Sequence, residues 1–309
     1  SPLELDEVVV TGERAEAPLA AVPRSLSVIS AAEIARSTAT TLVDLLRHEA
    51  NLNLQSFFGS DKFAAIDIRG MGATAASNVL VLVDGVRLNA DDLSGADFST
   101  LPLSQVERIE IARGGQGVRY GNGAVGGVIN IITRPARSGA PKARMIARRS
   151  AFDTDDLRLH ASASHGIAAL GLDLSSLDTD GFRHNEFLNR RAGAASLRLE
   201  PHAQVQLTLR AAHHEDRYGL PGPLPAAVLD ATTRARRQTN SPLDRGWTED
   251  DRYSVQVRLD GQQYGETTVR GTYRDRGNPF YIGFNPVGTR ADQLNRIDSY
   301  ARTAELEHR

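Results

Sequence analysis

A small mixed α/β domain followed by antiparallel strands of a membrane-spanning β-barrel is the fold class this sequence predicts, and three observations predict it. The texture of the chain changes near Arg134-Pro135-Ala136, from mixed helix and strand signals to strict alternation of apolar and polar side chains. Such alternation marks strands with one apolar and one polar face. The connections between the alternating segments are short and long by turns, as in barrels that cross an outer membrane. No run of about 18 apolar residues exists, which excludes a transmembrane helix and leaves strands as the way to cross a bilayer.

The elements of the first part follow in order. Thr41 and Asp44 stand three apart, with Leu42, Leu45 and Leu46 on one face, so Thr40 to Leu46 is predicted as a short capped amphipathic helix. Val79 to Val83 is a continuous apolar strand, and Asp84-Gly85 followed by Val86-Arg87-Leu88 completes a tight hairpin. Two further strands are predicted at Val106 to Ile111 and Val128 to Thr133.

Beyond Pro141 the period becomes two. Leu157, Leu159, Ala161 and Ala163 alternate with Arg158, His160, Ser162 and Ser164. Val205, Leu207, Leu209 and Ala211 alternate with polar neighbours, as do Tyr253, Val255, Val257 and Leu259. Shorter alternation around Met145, Leu172, Leu197 and Val269, and a less regular stretch from Tyr300 to Leu306, bring the candidate strands to eight. Arg158, Arg198, Arg210, Arg258, Arg270 and Arg274 fall on the polar face, which suits a hydrated lumen and would be costly toward lipid. Any solvated sheet face would also accept them.

On one edge the three connections are short, at His165-Gly166, Pro201-His202 and Gly261 to Gly265; on the other edge Phe152 to Thr154 is the only short one. Three are long: Asp178 to Arg191, His213 to Asp251 and Asp275 to Asp298. A soluble antiparallel sandwich is the alternative, but it has no reason to sort its loops by length.

Composition excludes several functions. The absence of cysteine rules out disulfides, a thiolate zinc site and a cysteine nucleophile. A formal charge of −2 argues against nucleic acid as a partner. Gly121, Gly123 and Gly126 satisfy G-x-G-x-x-G, yet a strand follows them where a dinucleotide site needs a helix. Asp91, Asp92 and Asp97 offer hard oxygen ligands for calcium, although a solvated acidic loop is the simpler account. His213 and His214 are adjacent on a strand and face opposite sides, a poor chelating pair. No Ser/His/Asp set or paired carboxylates survive, so neither an enzyme nor a cofactor is expected.

Several motifs carry a resemblance. Asp6-Glu7-Val8-Val9-Val10-Thr11-Gly12 resembles a TonB box. Ile66-Asp67-Ile68-Arg69-Gly70, Val81 to Val86, Leu103 to Ile111 with Arg113-Gly114, Tyr120-Gly121 and Gly126 to Arg134 resemble the plug domain of TonB-dependent outer-membrane receptors. Gly115 departs from the proline that many plugs carry there. Tyr218-Gly219-Leu220-Pro221-Gly222 also resembles a loop of that family.

The resemblance implies a TonB box and flexible N-terminal segment over 1–16, a plug over 17–136 and part of an outer-membrane barrel over 137–309. A barrel closed around a plug has about 22 strands. Eight strands therefore imply an N-terminal fragment of a longer chain. The implied function is capture of a scarce chelate (a ferric siderophore, cobalamin, haem or similar) and its import with energy relayed by TonB. The implied partners of this monomer are TonB, outer-membrane lipid and the chelate, with no chemical step.

Two alternatives remain from the sequence. A signalling receptor would carry a further domain ahead of the box, and this chain opens five residues before Asp6; a soluble periplasmic binding module is the other. Within the family, Asp6, Glu7, Val8, Val9, Val10 and Thr11 would add to TonB as a strand. Val8 to Val10 also read as an ordinary edge strand. Gln55, Phe57, Phe58, Lys62, Asn89, Asp91, Asp92 and Phe98 lie where plug apices would contact ligand. Arg69 and Arg113 match positions of plug-to-barrel ion pairing.

Overall fold

The computed structural model describes residues 9–10, 17–18, 26–49, 52–57, 60–68, 70, 72, 75–89, 95–114, 123–228, 232–284 and 291–308. The chain divides into two compact units. Ser1–Ser56, Lys62–Phe98 and Val106–Thr133 form the first, and Phe57–Asp61, Ser99–Gln105 and Arg134–Arg309 form the second. The sequence places boundaries after residues 16 and 136. The fold instead gives two short internal segments, one of them Ser99–Gln105, to the second unit.

In the first unit β1 (Val9–Val10) pairs antiparallel with β2 (Ala17–Pro18). After β3 (Leu26–Ile29) comes α1 (Ala31–Arg36), too short for its apolar spacing to announce it. Its signal is a capping box. Ser30 Oγ accepts the Glu33 N–H at 3.3 Å, and the Glu33 carboxylate accepts the Ser30 N–H at 2.7 Å. The predicted helix is α2 (Leu42–Leu46), where Thr41 Oγ1 accepts the Asp44 N–H at 3.1 Å. The Gln55-to-Lys62 region, expected as a loop apex, instead contributes to β4 (Leu52–Phe57) and β5 (Ser60–Ile68), a two-stranded sheet. Its polar side chains hide a ladder made by main-chain bonds.

The helix α3 (Ala75–Asn78) leads into β6 (Val79–Val83), which turns back as β7 (Val86–Arg87). Asp84 and Gly85 have φ of 51° and 85°, the two positive values that a type I′ hairpin requires. With β8 (Val106–Arg113) and β9 (Gly127–Thr133) these make a five-stranded sheet of order β3-β8-β9-β6-β7. Only β6 and β9 are parallel in it. Val79 to Leu82 are buried on both faces, which accounts for the unbroken apolar run. Leu80, Leu82, Ala112 and Val128 pack together on one of those faces. A Cβ on Gly127 would lie 2.6 Å from the Ala112 carbonyl oxygen and 2.9 Å from Ile68 Cδ1, so the close pairing of β8 and β9 requires glycine there.

The second unit is an eight-stranded antiparallel sheet in which every strand pairs with its sequence neighbour. The strands are β10 (Lys142–Ser150), β11 (Thr154–His165), β12 (Ala168–Thr179), β13 (Leu188–His202), β14 (Val205–Gly219), β15 (Arg245–Asp260), β16 (Glu266–Phe284) and β17 (Ala291–His308). All eight predicted strands are present, but several run further than their alternation. The connection expected from Asp178 to Arg191 shortens to 180–187, and that from His213 to Asp251 to 220–244, which holds α4 (Thr233–Arg236). Asp275 to Asp298 is not a loop: β16 and β17 stay paired from Asp275 opposite Tyr300 out to Phe284 opposite Ala291. There β17 is mostly polar on both faces and β16 runs without alternation through Pro279 to Phe284, so the period disappears while the ladder continues.

The two faces of this sheet are inverted relative to a water-soluble protein. Leu174 is 44% exposed and Val255 49%, whereas Asp173 is 6% exposed and Asp250 fully buried. Tyr253 stacks on Tyr273 at 6.3 Å on the apolar face, and the Arg302 guanidinium lies over the Tyr273 ring at 5.6 Å. Toward the long-connection end of that face stand His213, Glu215, Glu249 and Asp251, an aromatic-then-polar margin of the kind seen at a bilayer surface. Among the described residues no helix is long and apolar enough to cross a membrane.

Candidate functional site

Strand alternation sends one set of side chains of β11 to β16 to a buried face, and most of these are polar or charged. Asp250 is their centre: Arg274 Nε donates to its carboxylate at 2.9 Å, and Arg252 Nε lies 3.3 Å away. Arg158 pairs with Asp156 at 2.6 Å, and His214 Nε2 lies 2.9 Å from Asp216. Ser99 Oγ donates to Asp216 at 3.0 Å and Arg252 donates to the Thr100 carbonyl at 2.6 Å, which fastens Ser99–Gln105 into the second unit. Arg210 likewise donates to the Arg134 carbonyl at 2.5 Å. Buried charges are tolerated when paired and hydrogen-bonded, and Asp156, Asp216 and Asp250 each have a basic partner on this face, whereas the buried Arg190 has Nε and Nη2 without a hydrogen-bond partner.

His213 and His214 do face opposite sides. His214 is buried, whereas His213 stands on the exposed face with Glu249 and Asp251, the three ligand atoms within 4.8 Å of one another. Adjacent-residue reasoning missed this grouping because its members sit on β14 and β15.

The long connections are organised by two side chains that the sequence did not single out. Arg183 donates to the carbonyls of Gly222 at 2.5 Å, Pro221 at 3.2 Å and Gln238 at 3.0 Å. Asn185 Nδ2 donates to the carbonyls of Ser241 at 2.6 Å and Asp244 at 2.7 Å. Burial lowers the Arg183 guanidinium from its ordinary pKa, against the opposing pull of Glu186. The Tyr218-to-Gly222 motif lies where these bonds converge. Tyr218 is buried with its hydroxyl donating to Asn278 Oδ1 at 2.7 Å, and Gly222 has a φ of 73°.

The candidates read from the sequence fall in different places. Asp6, Glu7, Val8 and Thr11 of the box, with Phe58, Arg69, Asp91 and Asp92, lie outside the described residues. Val9 and Val10 are engaged in the ladder with Ala17 and Pro18. Gln55 is exposed on β4, which Phe57 ends. Three ligand-contact candidates are committed to holding the first unit together. Lys62 is buried in an ion pair with Asp97 at 3.1 Å, so one of the three candidate calcium carboxylates already has a cation. Asn89 accepts the Val81 N–H at 2.7 Å and donates to the Val79 carbonyl at 3.0 Å, taking the place of a strand partner along β6. Phe98 is 2% exposed and belongs to the core. Arg113 closes β8 opposite Gly127.

With this geometry in view, comparisons with known proteins bear on identity. The family model described as TonB-dependent Receptor Plug Domain matches residues 18–128. The unliganded ferric citrate transporter FecA superposes with a TM-score of 0.76 at 21% identity, over 92% of this chain and 44% of that one. The ferric yersiniabactin uptake receptor FyuA from Yersinia pestis gives 0.75 at 20% identity, over 92% and 45%. FpvA of P. aeruginosa, bound to heterologous pyoverdines, gives 0.79 at 14% identity, over 96% and 40%. The chain thus spans less than half the length of each of these structures. Residues 18–128 match the plug domain of TonB-dependent receptors, and the antiparallel strands that follow share the fold of part of the barrel in the solved structures.

Proposed function

We propose that the protein is an outer-membrane transporter that captures a ferric chelate and passes it to the periplasm with energy relayed by TonB. The observation that carries this is the inverted sheet that follows the plug-domain match in the chain: apolar side chains of β11, β12, β15 and β16 are exposed while Asp156, Asp173, Arg190 and Asp250 are buried. Exposed Leu and Val side chains cost about 25 cal/mol per Å² in water and nothing comparable in lipid. Charged side chains on the same face would cost about 2–4 kcal/mol each in the bilayer. The long connections and the short turn at Phe152, whose ring meets Phe182 edge-on, then lie at the outer surface, and the turns after β11, β13 and β15 in the periplasm. The protein's work is binding and release, with no bond made or broken.

Coupling would run through the Val9 region. Strand addition to TonB would compete with the short β1–β2 ladder, so the segment is held until a better strand partner arrives. The test is uptake of iron-55 supplied as a panel of chelates, with binding measured separately. Val9→Pro removes a main-chain donor. It should abolish uptake and leave binding within about twofold, and undiminished uptake would overturn the coupling assignment. Absence of binding to every ferric chelate tried would overturn the substrate class.

A further inference from the structure

His213, Glu249 and Asp251 stand together on the exposed face, near the long-connection end of β14 and β15. Strand register brings them there. His213 is directly opposite Asp251, and Glu249 precedes Asp251 by two, so it shares the face and lies diagonal to the histidine. The main chain beneath is fixed by a ladder that runs unbroken from Val205 opposite Leu259 to Gly219 opposite Arg245. The outer neighbours in register are glycines at two of the three positions: Gly193 opposite His213 on β13, and Gly277 opposite Glu249 on β16.

The charge around the three is unbalanced. Glu215 is directly opposite Glu249, and the exposed Asp275 is directly opposite Asp251. Like charges so placed destabilise an antiparallel pair. Two arginines share the neighbourhood: Arg191 lies 4.0 Å from Glu215, and Arg217 is opposite Trp247. Asp298, opposite Gly277, is paired with Arg296. Four carboxylates therefore face two guanidinium groups. Asp251 meets His213 Nδ1 at 2.8 Å, but among the described residues the carboxylates of Glu249 and Asp275 have no hydrogen bond or ion pair. An ordinary His–Asp pair accounts for two of these side chains and leaves the excess negative charge in place.

We infer that His213, Glu249 and Asp251 bind a divalent transition-metal cation of the zinc type. The donor set is mixed, an imidazole with two carboxylates, which suits zinc, whereas calcium and magnesium take oxygen ligands. The three ligand atoms lie within 4.8 Å of one another. Zinc bound at about 2.0–2.2 Å in tetrahedral geometry sets its ligands about 3.3 Å apart, and rotation of side chains at the surface supplies that change while the ladder stays fixed. Three protein ligands leave the fourth position to water. Two positive charges offset the excess on the patch, and the ion joins β14 to β15. The site uses two paired strands and is independent of the transport reading.

The test is calorimetric titration of the detergent-solubilised protein with zinc chloride. One zinc per chain should bind at micromolar concentration. Affinity should fall tenfold or more in His213→Ala and, separately, in Glu249→Gln, which keeps the shape of the side chain and removes its charge; both changes are at exposed positions. His165→Ala, a change at the exposed histidine that ends β11, should bind zinc as the wild type does. Cobalt(II) gives a local readout. Trp247 is the chain's one tryptophan and lies two residues from Glu249 on the same face, so cobalt should quench its fluorescence, and His213→Ala should need at least tenfold more cobalt for the same quenching.

Zinc affinity unchanged by both His213→Ala and Glu249→Gln, or no saturable binding of zinc, overturns the inference. Calcium or magnesium binding as tightly as zinc, weakened by Glu249→Gln and untouched by His213→Ala, overturns the transition-metal assignment and leaves only an acidic patch that attracts cations.

Discussion

Asp173 and Leu174 are consecutive in β12 and lie on opposite faces, the aspartate 6% exposed and the leucine 44%. A strand in water would bury the leucine and expose the aspartate, so under the proposed function the Leu174 face is the one that meets lipid. Leu174→Arg should cost about 2–4 kcal/mol of stability in a bilayer. Urea titration of protein refolded into phospholipid vesicles measures this directly, and a change of less than 0.5 kcal/mol would mean that Leu174 does not face lipid.

Asp250 holds a fully buried carboxylate against Arg274 and Arg252. Removing one partner of a buried ion pair leaves uncompensated charge and costs about 3–5 kcal/mol. Asp250→Ala should therefore lower the unfolding midpoint strongly in detergent. The double change Asp250→Ala with Arg274→Ala should recover part of the loss, because it removes charge from both sides.

Glu33 and Ser30 give the first unit a pH dependence with a definite sign. The Ser30 main-chain N–H and then its hydroxyl hold the Glu33 carboxyl below its ordinary pKa of 4.5. Because the folded value is the lower one, the contribution is complete above the unfolded value and is lost as pH falls through the folded value. Ser30→Ala should cost about 1 kcal/mol at neutral pH and return the Glu33 titration to the ordinary range. Carbon-detected NMR of the carboxyl follows both.

Gly127 has a backbone oxygen where a side chain would begin. Gly127→Ala should separate β8 from β9 and destabilise the first unit by about 1–3 kcal/mol, an overpacking cost. Hydrogen exchange at Ile109 and Ile111 should accelerate, with exchange in β12 and β13 unaffected.

Phe57 closes β4 and Phe58 follows it beyond the described residues. If this apex meets ligand, burying aromatic surface there contributes about 1.5–3 kcal/mol per ring. The F57A/F58A variant should then bind a ferric chelate at least tenfold more weakly. Unchanged affinity in a direct titration would place the ligand elsewhere.

Much of this molecule was legible before any coordinates. The helix at Leu42–Leu46, the hairpin at Asp84-Gly85 and all eight strands of the second unit carry local signals. Elements without periodicity were not legible. The helix Ala31–Arg36 is announced only by Ser30 and Glu33, and β4 and β5 are masked by polar residues. The outer reaches of β16 and β17 lose the alternation that marked their beginnings.

The candidate sites divide along the same line. Lys62, Asn89 and Phe98 read as apex residues because they lie in polar or loop-like sequence, yet each is held inside the first unit. Arg183 and Asn185 went unnoticed because nothing around them in the sequence signals their partners, which lie 35 to 59 positions further along the chain.

By itself the sequence determined the two-part organisation, the strand count and which side chains share a face, since each follows from a period of two or from a local turn. Only the tertiary structure decided which face is buried, that Ser99–Gln105 belongs with the strands rather than with its neighbours, and that one arginine and one asparagine gather the carbonyls of Pro221, Gly222, Gln238, Ser241 and Asp244. The physical reason is reach: alternation and capping act within a few residues, while burial, ion pairing and carbonyl capture depend on what the folded chain brings together from far apart.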